Sequence, residues 1–347
     1  MTFVSGATPN APSQEASRLE RAYRLYRRYT KRCRTENQLN RVHIALDNYM
    51  TPAEVRHFAA ALAAEPAESP SRRWIATLER SMPVKAARPV EFERREHAKG
   101  VTHYTASASP AAKKTLIIGF SGIHHRLMMP TAWLLDCLNP ELYDVVVLRD
   151  FSRRSFALGL PGLGNDLMEA LSGLRKYCDP RAYRKAVSLG TSAGGVPAII
   201  AAIALRLDRG IALCPSHYLW YVQHLKTLGL DERSYAAVLA SRQRPFPQLV
   251  LVSGAEKKDD LAAAVALHAV VPSRLWKLRN CTQHGVLKWQ IERGTLRPFL
   301  AKLFDQSLEA ADPQGAPLSA QWVIRSNGGL PLRVGGAPPA TDSVSSG

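Results

Sequence analysis

Apolar residues in the second part of the chain are grouped in short runs that end at Gly, Pro or Asp. Several runs are nearly continuous in Val, Ile and Leu, as in parallel strands covered on both faces; they span residues 115–120, 144–150, 185–190, 210–214, 248–254 and 274–279. Weaker candidate strands precede them, at residues 90–94 and 101–105, and helix-length segments lie between them, at residues 165–177, 194–207 and 261–270. Strands that alternate with helices predict a doubly wound, mostly parallel α/β domain that binds ligands at the edge where its strands end.

The first part of the chain has the residue spacing of helices. Residues 18–34 place Leu and Tyr near helical intervals among many arginines, which predicts a basic amphipathic helix. Further helices are predicted at residues 36–48, 51–64 and 71–81. The helix at 51–64 starts with Thr51, a capping residue that is followed by Pro at the first helical position.

These patterns divide the chain into four parts. Residues 1–17 and 308–347 are rich in small and polar residues, so we expect them to be mostly disordered. A basic helical region occupies residues 18–88, and the α/β domain occupies residues 89–307. Within that domain, residues 215–247 form a long connection between two strands, which we expect to be a cap insertion.

The charge of the chain is strongly positive, with 46 Lys and Arg against 29 Asp and Glu and a net charge of +17. Such an excess suggests nucleic acid, an anionic surface or an acidic substrate as partner. The positive residues are spread over the chain without a known nucleic-acid motif, so we expect no specific nucleic-acid site. The densest cluster lies at residues 18–34. Its peripheral contact with an anionic surface is one hypothesis, and packing of its Leu and Tyr residues on the α/β domain is the favoured alternative.

The cysteines and the hydropathy bear on the compartment. The chain has five cysteines and no CxxC pair, which favours a reducing environment over a disulfide framework. We find no secretory signal and no apolar run of about 18 residues. These observations predict a cytoplasmic location.

The strongest chemical signal is GTSAGG at residues 190–195, between a predicted strand and a predicted helix. A nucleophile elbow needs this setting, because its strained turn projects a serine from the edge of the sheet and tolerates only small neighbours. Ser192 is therefore the candidate nucleophile. The backbone N–H of Ala193, at the start of the helix, is a candidate oxyanion donor. A plain strand-to-helix turn is the alternative, because the pattern also occurs by chance.

A serine hydroxyl becomes a nucleophile only when a base removes its proton and an acid orients that base. In this topology the order along the chain is Ser, acid, His. His284 follows the last predicted strand and is the candidate base. Asp260 is the first candidate for the acid, Asp259 the second and Glu256 the third, since all follow the preceding strand. One of the two aspartates could instead cap the next helix.

The remaining site candidates lie on two loops. The turn after residues 115–120 would supply the second oxyanion donor, from the N–H of Phe120 or Ser121, and Arg126 in the same loop is a candidate anion contact. In the insertion, Tyr218 and Trp220 either line an apolar substrate pocket or pack the insertion onto the sheet. The adjacent histidines at 124–125 have poor metal-binding spacing, so we expect no metal site.

Residues 114–304 resemble the α/β-hydrolase fold in the elbow GTSAGG, the turn GFSG at 119–122, the carboxylates after one late strand and His284 after the next. The chain is also similar to little-characterised bacterial hydrolase-like proteins with a GFSG…RLMMP loop, here completed at residues 126–130. In one respect it departs from the resemblance, because Ile118 precedes Gly119 where His-Gly is common.

The resemblance implies a serine esterase, thioesterase or acyltransferase that needs no cofactor. Ser192 would be the nucleophile, His284 the base, and Asp260 or Asp259 the acid. The substrate would be an ester, thioester or amide, either a small molecule or an acyl group linked to lipid or glycan. The alternative is a catalytically silent hydrolase scaffold whose basic helical arm binds a partner or an anionic surface. A nucleotide-binding domain is disfavoured, because a P-loop lysine and a GxGxxG turn are lacking after the first strand.

Overall fold

The structure, a computed structural model, describes residues 14–82, 88–241, 245–305 and 322–325. Most of the two segments that we expected to be disordered lies outside these residues. Two described stretches within those segments are ordered, since the first helix starts at Gln14 and a strand spans Trp322–Arg325. None of the described helices combines the length and the apolar character that crossing a membrane requires.

The N-terminal part forms the helical region that the sequence predicts. Its helices are α1 (Gln14–Thr30), α2 (Glu36–Asp47), α3 (Pro52–Leu62) and α4 (Pro70–Arg80). Thr51 begins α3 with a complete capping box, in which its side chain and that of Glu54 each accept from the other's backbone N–H. Tyr26 and Phe58 are buried in the core of this region, which also takes in Trp133 from the α/β domain.

The α/β domain is built on one sheet, which has nine strands within the described residues. They are β1 (Glu93–Ala98), β2 (Val101–Thr105), β3 (Thr115–Phe120), β4 (Tyr143–Leu148), β5 (Lys185–Thr191), β6 (Arg209–Leu213), β7 (Gln248–Gly254), β8 (Arg274–Leu278) and β9 (Trp322–Arg325). The spatial order is β1-β2-β4-β3-β5-β6-β7-β8-β9. Strands β3 to β8 are parallel, and antiparallel pairing occurs where β1, β2 and β9 join them. This order confirms the predicted doubly wound sheet of α/β-hydrolase type.

Helices cover both faces of the sheet, which is why its parallel strands are almost entirely apolar. One face packs α6 (Leu167–Leu174), α7 (Gly195–Ala204) and α10 (Lys258–Val270). The opposite face packs α5 (Thr131–Cys137), α11 (Val286–Glu292) and α12 (Leu296–Phe304). The two layers therefore bury the strands and leave the strand ends as the accessible part of the sheet.

The long connection after β6 contains α8 (Tyr218–Thr227) and α9 (Glu232–Ala240). Tyr221 and Leu225 of α8 are buried with Tyr235 and Leu239 of α9 in the core cluster that includes α7. These contacts fix the two helices against one layer of the domain. The idea that the insertion also covers the site stays a prediction.

The first strand does not lie where the apolar pattern put it. The strand expected at residues 90–94 is instead Glu93–Ala98, with the polar sequence ERREHA, of which three residues are exposed and three are partly buried. An edge strand with one neighbour needs little apolar surface, so its sequence gave no apolar signal. Helix α5 was not predicted either, because its seven residues are too few for a helical period to be recognised.

The helical region is joined to the sheet by a buried arginine. Arg149, just after β4, is fully buried and donates to the Thr102 hydroxyl at 2.6 Å and to the Asn48 carbonyl. The Thr131 hydroxyl donates to the same carbonyl at 2.7 Å. The loop after α2 is therefore held at the strand ends, close to the start of α5.

Candidate active site

Backbone strain in this protein is concentrated where the parallel strands end. Among the described residues other than glycine, positive φ angles follow β3, β4, β5, β6 and β8; the residues are His125, Met128, Arg153, Ser155, Phe156, Ser192, Cys214 and Asn280. One more, Arg206, lies elsewhere, after α7. Residues other than glycine rarely adopt a positive φ, and clusters of such residues mark functional sites. The strand ends are therefore the candidate functional site.

Ser192 occupies the tip of a strand-to-helix turn. It follows β5 directly with a φ of 52°, and it is the first residue of a single 3₁₀ turn that leads into α7. A Cβ on Gly190 would lie 2.0 Å from the Gly194 carbonyl oxygen, and one on Gly194 would lie 2.3 Å from that of Phe120. The glycines thus allow the helix and β3 to approach the strand end so closely, as an elbow requires.

The loop after β3 packs directly against this turn. A Cβ on Gly122 would lie 3.2 Å from the Thr191 carbonyl oxygen and 3.5 Å from the Ser192 Cβ. The Ser121 N–H is already used, since it donates to the Leu148 carbonyl of β4 at 3.0 Å. Successive N–H groups of a strand point to opposite sides. The N–H of Phe120 therefore points toward β5 and belongs to the β3–β5 ladder, in which Phe120 pairs with Gly190. Both N–H groups that the sequence offered as second oxyanion donors are thus used within the sheet.

The three candidate acids, Asp260, Asp259 and Glu256, differ in their contacts with the loop that carries His284. Asp260 lies in the first turn of α10 with its side chain 12% exposed, and its Oδ2 is 2.8 Å from the Nδ1 of His284. Asp259 is 93% exposed and pairs with Lys257 at 3.8 Å. Glu256 instead accepts from the backbone N–H of Cys281 at 2.9 Å, so it holds the loop that carries the histidine.

With Nδ1 donating to Asp260, a neutral His284 has its lone pair on Nε2. The imidazole is 45% exposed, and His284 lies at the end of the loop between β8 and α11, just before the N-cap residue Gly285. Within the described residues, the Ser192 hydroxyl makes no hydrogen bond to this ring. Such contacts are often long in a free enzyme and shorten when substrate binds.

Cys214 is a neighbour of this pair that the sequence patterns did not single out. It follows β6 with a φ of 42° and is fully buried. Its sulfur, an Asp260 oxygen and a His284 nitrogen all lie within 4.8 Å of one another. Burial and the nearby carboxylate of Asp260 raise the pKa of the Cys214 thiol.

The same three side chains are, among the described residues, the one group of donors close enough to share a metal ion. A metal would require the Cys214 thiolate, since thiolates rather than thiols bind metals. Of these three side chains, Asp260 and His284 are joined by a hydrogen bond, at 2.8 Å.

The other candidate residues are spread around this centre. Arg126 lies in the loop after β3, where its carbonyl accepts from Gly122 N–H at 3.1 Å and from the Thr191 hydroxyl at 3.4 Å. Tyr218 packs against the core cluster beside α7, whereas Trp220 is 52% exposed. The structure thus brings Arg126 next to the elbow and gives Tyr218 a packing role.

Comparison with solved structures gives matches of low sequence identity. Esterase B from Lactobacillus Rhamnosis has 14% identity, covers 72% of this chain and 98% of its own, and has a TM-score of 0.36. An alpha/beta hydrolase enzyme from a Moroccan lagoon-sediment metagenome has 15% identity, covers 60% of this chain and 98% of its own, and has a TM-score of 0.40. Siderophore hydrolase EstB from Aspergillus nidulans has 14% identity, covers 64% of this chain and 98% of its own, and has a TM-score of 0.38. At such values these matches say nothing about the substrate of this chain. No protein-family model and no curated protein sequence matches the chain.

Proposed function

We propose that this chain is a serine-dependent hydrolase or acyltransferase, with Ser192 as nucleophile, His284 as general base and Asp260 as the orienting acid. The observation that carries the proposal is the 2.8 Å contact between Asp260 Oδ2 and His284 Nδ1 at the edge that holds the strained Ser192. Ser192, Asp260 and His284 follow β5, β7 and β8, in the chain order that this chemistry requires. The substrate is an ester, thioester or amide.

The reaction has two steps. His284 Nε2 takes the Ser192 proton while Oγ attacks the carbonyl carbon, and the imidazolium then gives the proton to the leaving group as the acyl–serine ester forms. The N–H group of Ala193, at the start of the turn into α7, stabilises the oxyanion. Water or an acceptor hydroxyl, deprotonated by the same imidazole, then releases the acyl group and regenerates Ser192. Asp260 fixes the tautomer of His284 and stabilises its cation without taking a proton.

A fluorophosphonate probe tests the proposal, because it reacts covalently with an activated serine hydroxyl. We expect the probe to label the wild type and not Ser192→Ala, as measured by intact mass. The control is Ser216→Ala, which removes a serine near the elbow whose backbone N–H donates to the Ser192 carbonyl at 3.1 Å. Labelling of Ser192→Ala, or none of a folded wild type, would refute the proposal.

A further inference from the structure

A cavity of about 510 Å³ lies between the helical region and the α/β domain. Its walls come from α2, α4, the loop after β3, the start of α5 and α11. A volume of this size suits a small molecule or one end of a larger one. Because its walls come from both parts of the chain, the cavity is formed only by the packing of the helical region on the α/β domain.

Positive side chains enter this cavity from three separate elements: Arg73 from α4, Arg126 from the loop after β3 and Lys288 from α11. Arg73 is paired with Glu36 at 3.4 Å, and Lys288 with Glu292 at 3.7 Å. These exposed pairs are weak and exchange readily with solvent.

Arg126 differs from the other two cations. It is half-buried, and in the described part of the chain its guanidinium forms no ion pair at contact distance. Its charge opposes the rise in the pKa of Asp47, a carboxylate that also lines the cavity and accepts from the Trp74 indole N–H at 2.9 Å. A half-buried guanidinium with five donors and no contacting carboxylate is suited to bind an anion bidentately.

The rest of the wall is apolar and aromatic. Trp74 and Trp133 line it together with Met128 and Met129. Both indole N–H groups are satisfied within the protein, Trp133 by the Leu78 carbonyl at 2.9 Å and Trp74 by Asp47. The indoles therefore offer apolar surface to a ligand, and the hydrogen-bonding capacity of the cavity is concentrated in its charged groups.

Two residues of the cavity wall, Arg126 and Lys288, are neighbours of residues in the proposed reaction centre. The Arg126 carbonyl accepts from the Gly122 N–H and from the Thr191 hydroxyl. Thr191 directly precedes Ser192 in the chain, so the Arg126 backbone contacts the neighbour of the proposed nucleophile. Lys288 follows His284 by four residues, in the first turn of α11. The cavity is therefore adjacent, through these two residues, to the chain segments that carry the proposed nucleophile and base.

We propose that this cavity binds an anionic group of the substrate, a carboxylate or a phosphate, with Arg126 as its principal contact. The substrate is then an acyl compound with a negative charge at one end and an apolar segment against the indoles. This inference rests on the proposed function for its link to catalysis, but the binding itself can be measured without turnover.

The kinetic test compares two esters of matched length, mono-4-nitrophenyl adipate, which carries a carboxylate, and neutral 4-nitrophenyl hexanoate. For the wild type we expect kcat/KM to be roughly tenfold higher for the adipate at low salt, and this preference to shrink as salt screens the charge. Arg126→Gln should abolish the preference. The control is Arg181→Gln, an exposed arginine before β5 outside the cavity, which should keep it. Equal use of both esters by the wild type, or an unchanged preference in Arg126→Gln, would overturn the proposal.

The binding test uses the Ser192→Ala protein and measures quenching of tryptophan fluorescence by adipate and by inorganic phosphate. Tighter binding of adipate indicates a carboxylate ligand, and tighter binding of phosphate indicates a phosphate ligand. Either should weaken at least fivefold in Ser192→Ala/Arg126→Gln. If the fluorophosphonate probe does not label the protein but this Arg126-dependent binding persists, the proposed function fails and the anion site stands. If labelling occurs and neither anion binds, the anion site fails alone.

Discussion

Replacement of Asp260 by Asn removes the charge next to His284 and keeps the size of the side chain. In the proposed mechanism the imidazole becomes a cation during attack, and its Nδ1 lies 2.8 Å from the Asp260 oxygen. At an effective dielectric of ~20, unit charges at that separation attract by about 6 kcal/mol. This attraction exists only when the imidazole is charged, so it lowers the barrier of the reaction. A loss of about 6 kcal/mol corresponds to roughly 10⁴-fold in rate.

The neighbouring Asp259 provides a matched control. Its side chain is 93% exposed and pairs with Lys257, so solvent screens its charge from the imidazole. We expect Asp260→Asn to lower kcat/KM for 4-nitrophenyl butyrate by about 10⁴-fold and Asp259→Asn to change it by less than about twofold. Thermal unfolding of both variants checks that each is folded. If Asp260→Asn retains more than a tenth of the activity, or if Asp259→Asn is the more damaging change, the assignment of the acid is wrong.

Two further predictions concern stability. Gly190→Ala should destabilise the fold by about 3 kcal/mol in urea unfolding, because the added Cβ would lie 2.0 Å from the Gly194 carbonyl oxygen. The control is Gly285→Ala, whose Cβ would meet its nearest neighbour at 3.6 Å and which should cost less than about 1 kcal/mol. Similar losses of stability in the two variants would refute the steric argument. Burial raises the pKa of Asp47 from 3.8 to about 6, opposed by the Trp74 hydrogen bond and by Arg126, so the folded wild type loses stability as pH rises through this interval. We expect Asp47→Asn to be more stable than the wild type by about 1–3 kcal/mol at pH 7.5 and equal to it near pH 4; a difference independent of pH would contradict this.

Much of the candidate site was predictable because its signals are local. A strand end followed by GTSAGG requires small residues for steric reasons, and that requirement appears within six adjacent residues. His284 was predictable because the chemistry fixes the order of the site residues along the chain. The predicted Asp260, Asp259 and Glu256 were all plausible, since each follows the same strand and sequence distance does not separate them.

The sequence by itself determined the doubly wound sheet, because buried parallel strands must be apolar on both faces and their runs are visible in the chain. It also determined the elbow, whose close approaches only glycine permits. The tertiary structure alone decided which carboxylate meets His284, since α10 turns Asp260 inward and leaves Asp259 in solvent. It alone placed Cys214 beside that carboxylate and assembled the cavity around Arg126. Those contacts join residues far apart in sequence, and their distances depend on how helices and strands pack rather than on any local pattern.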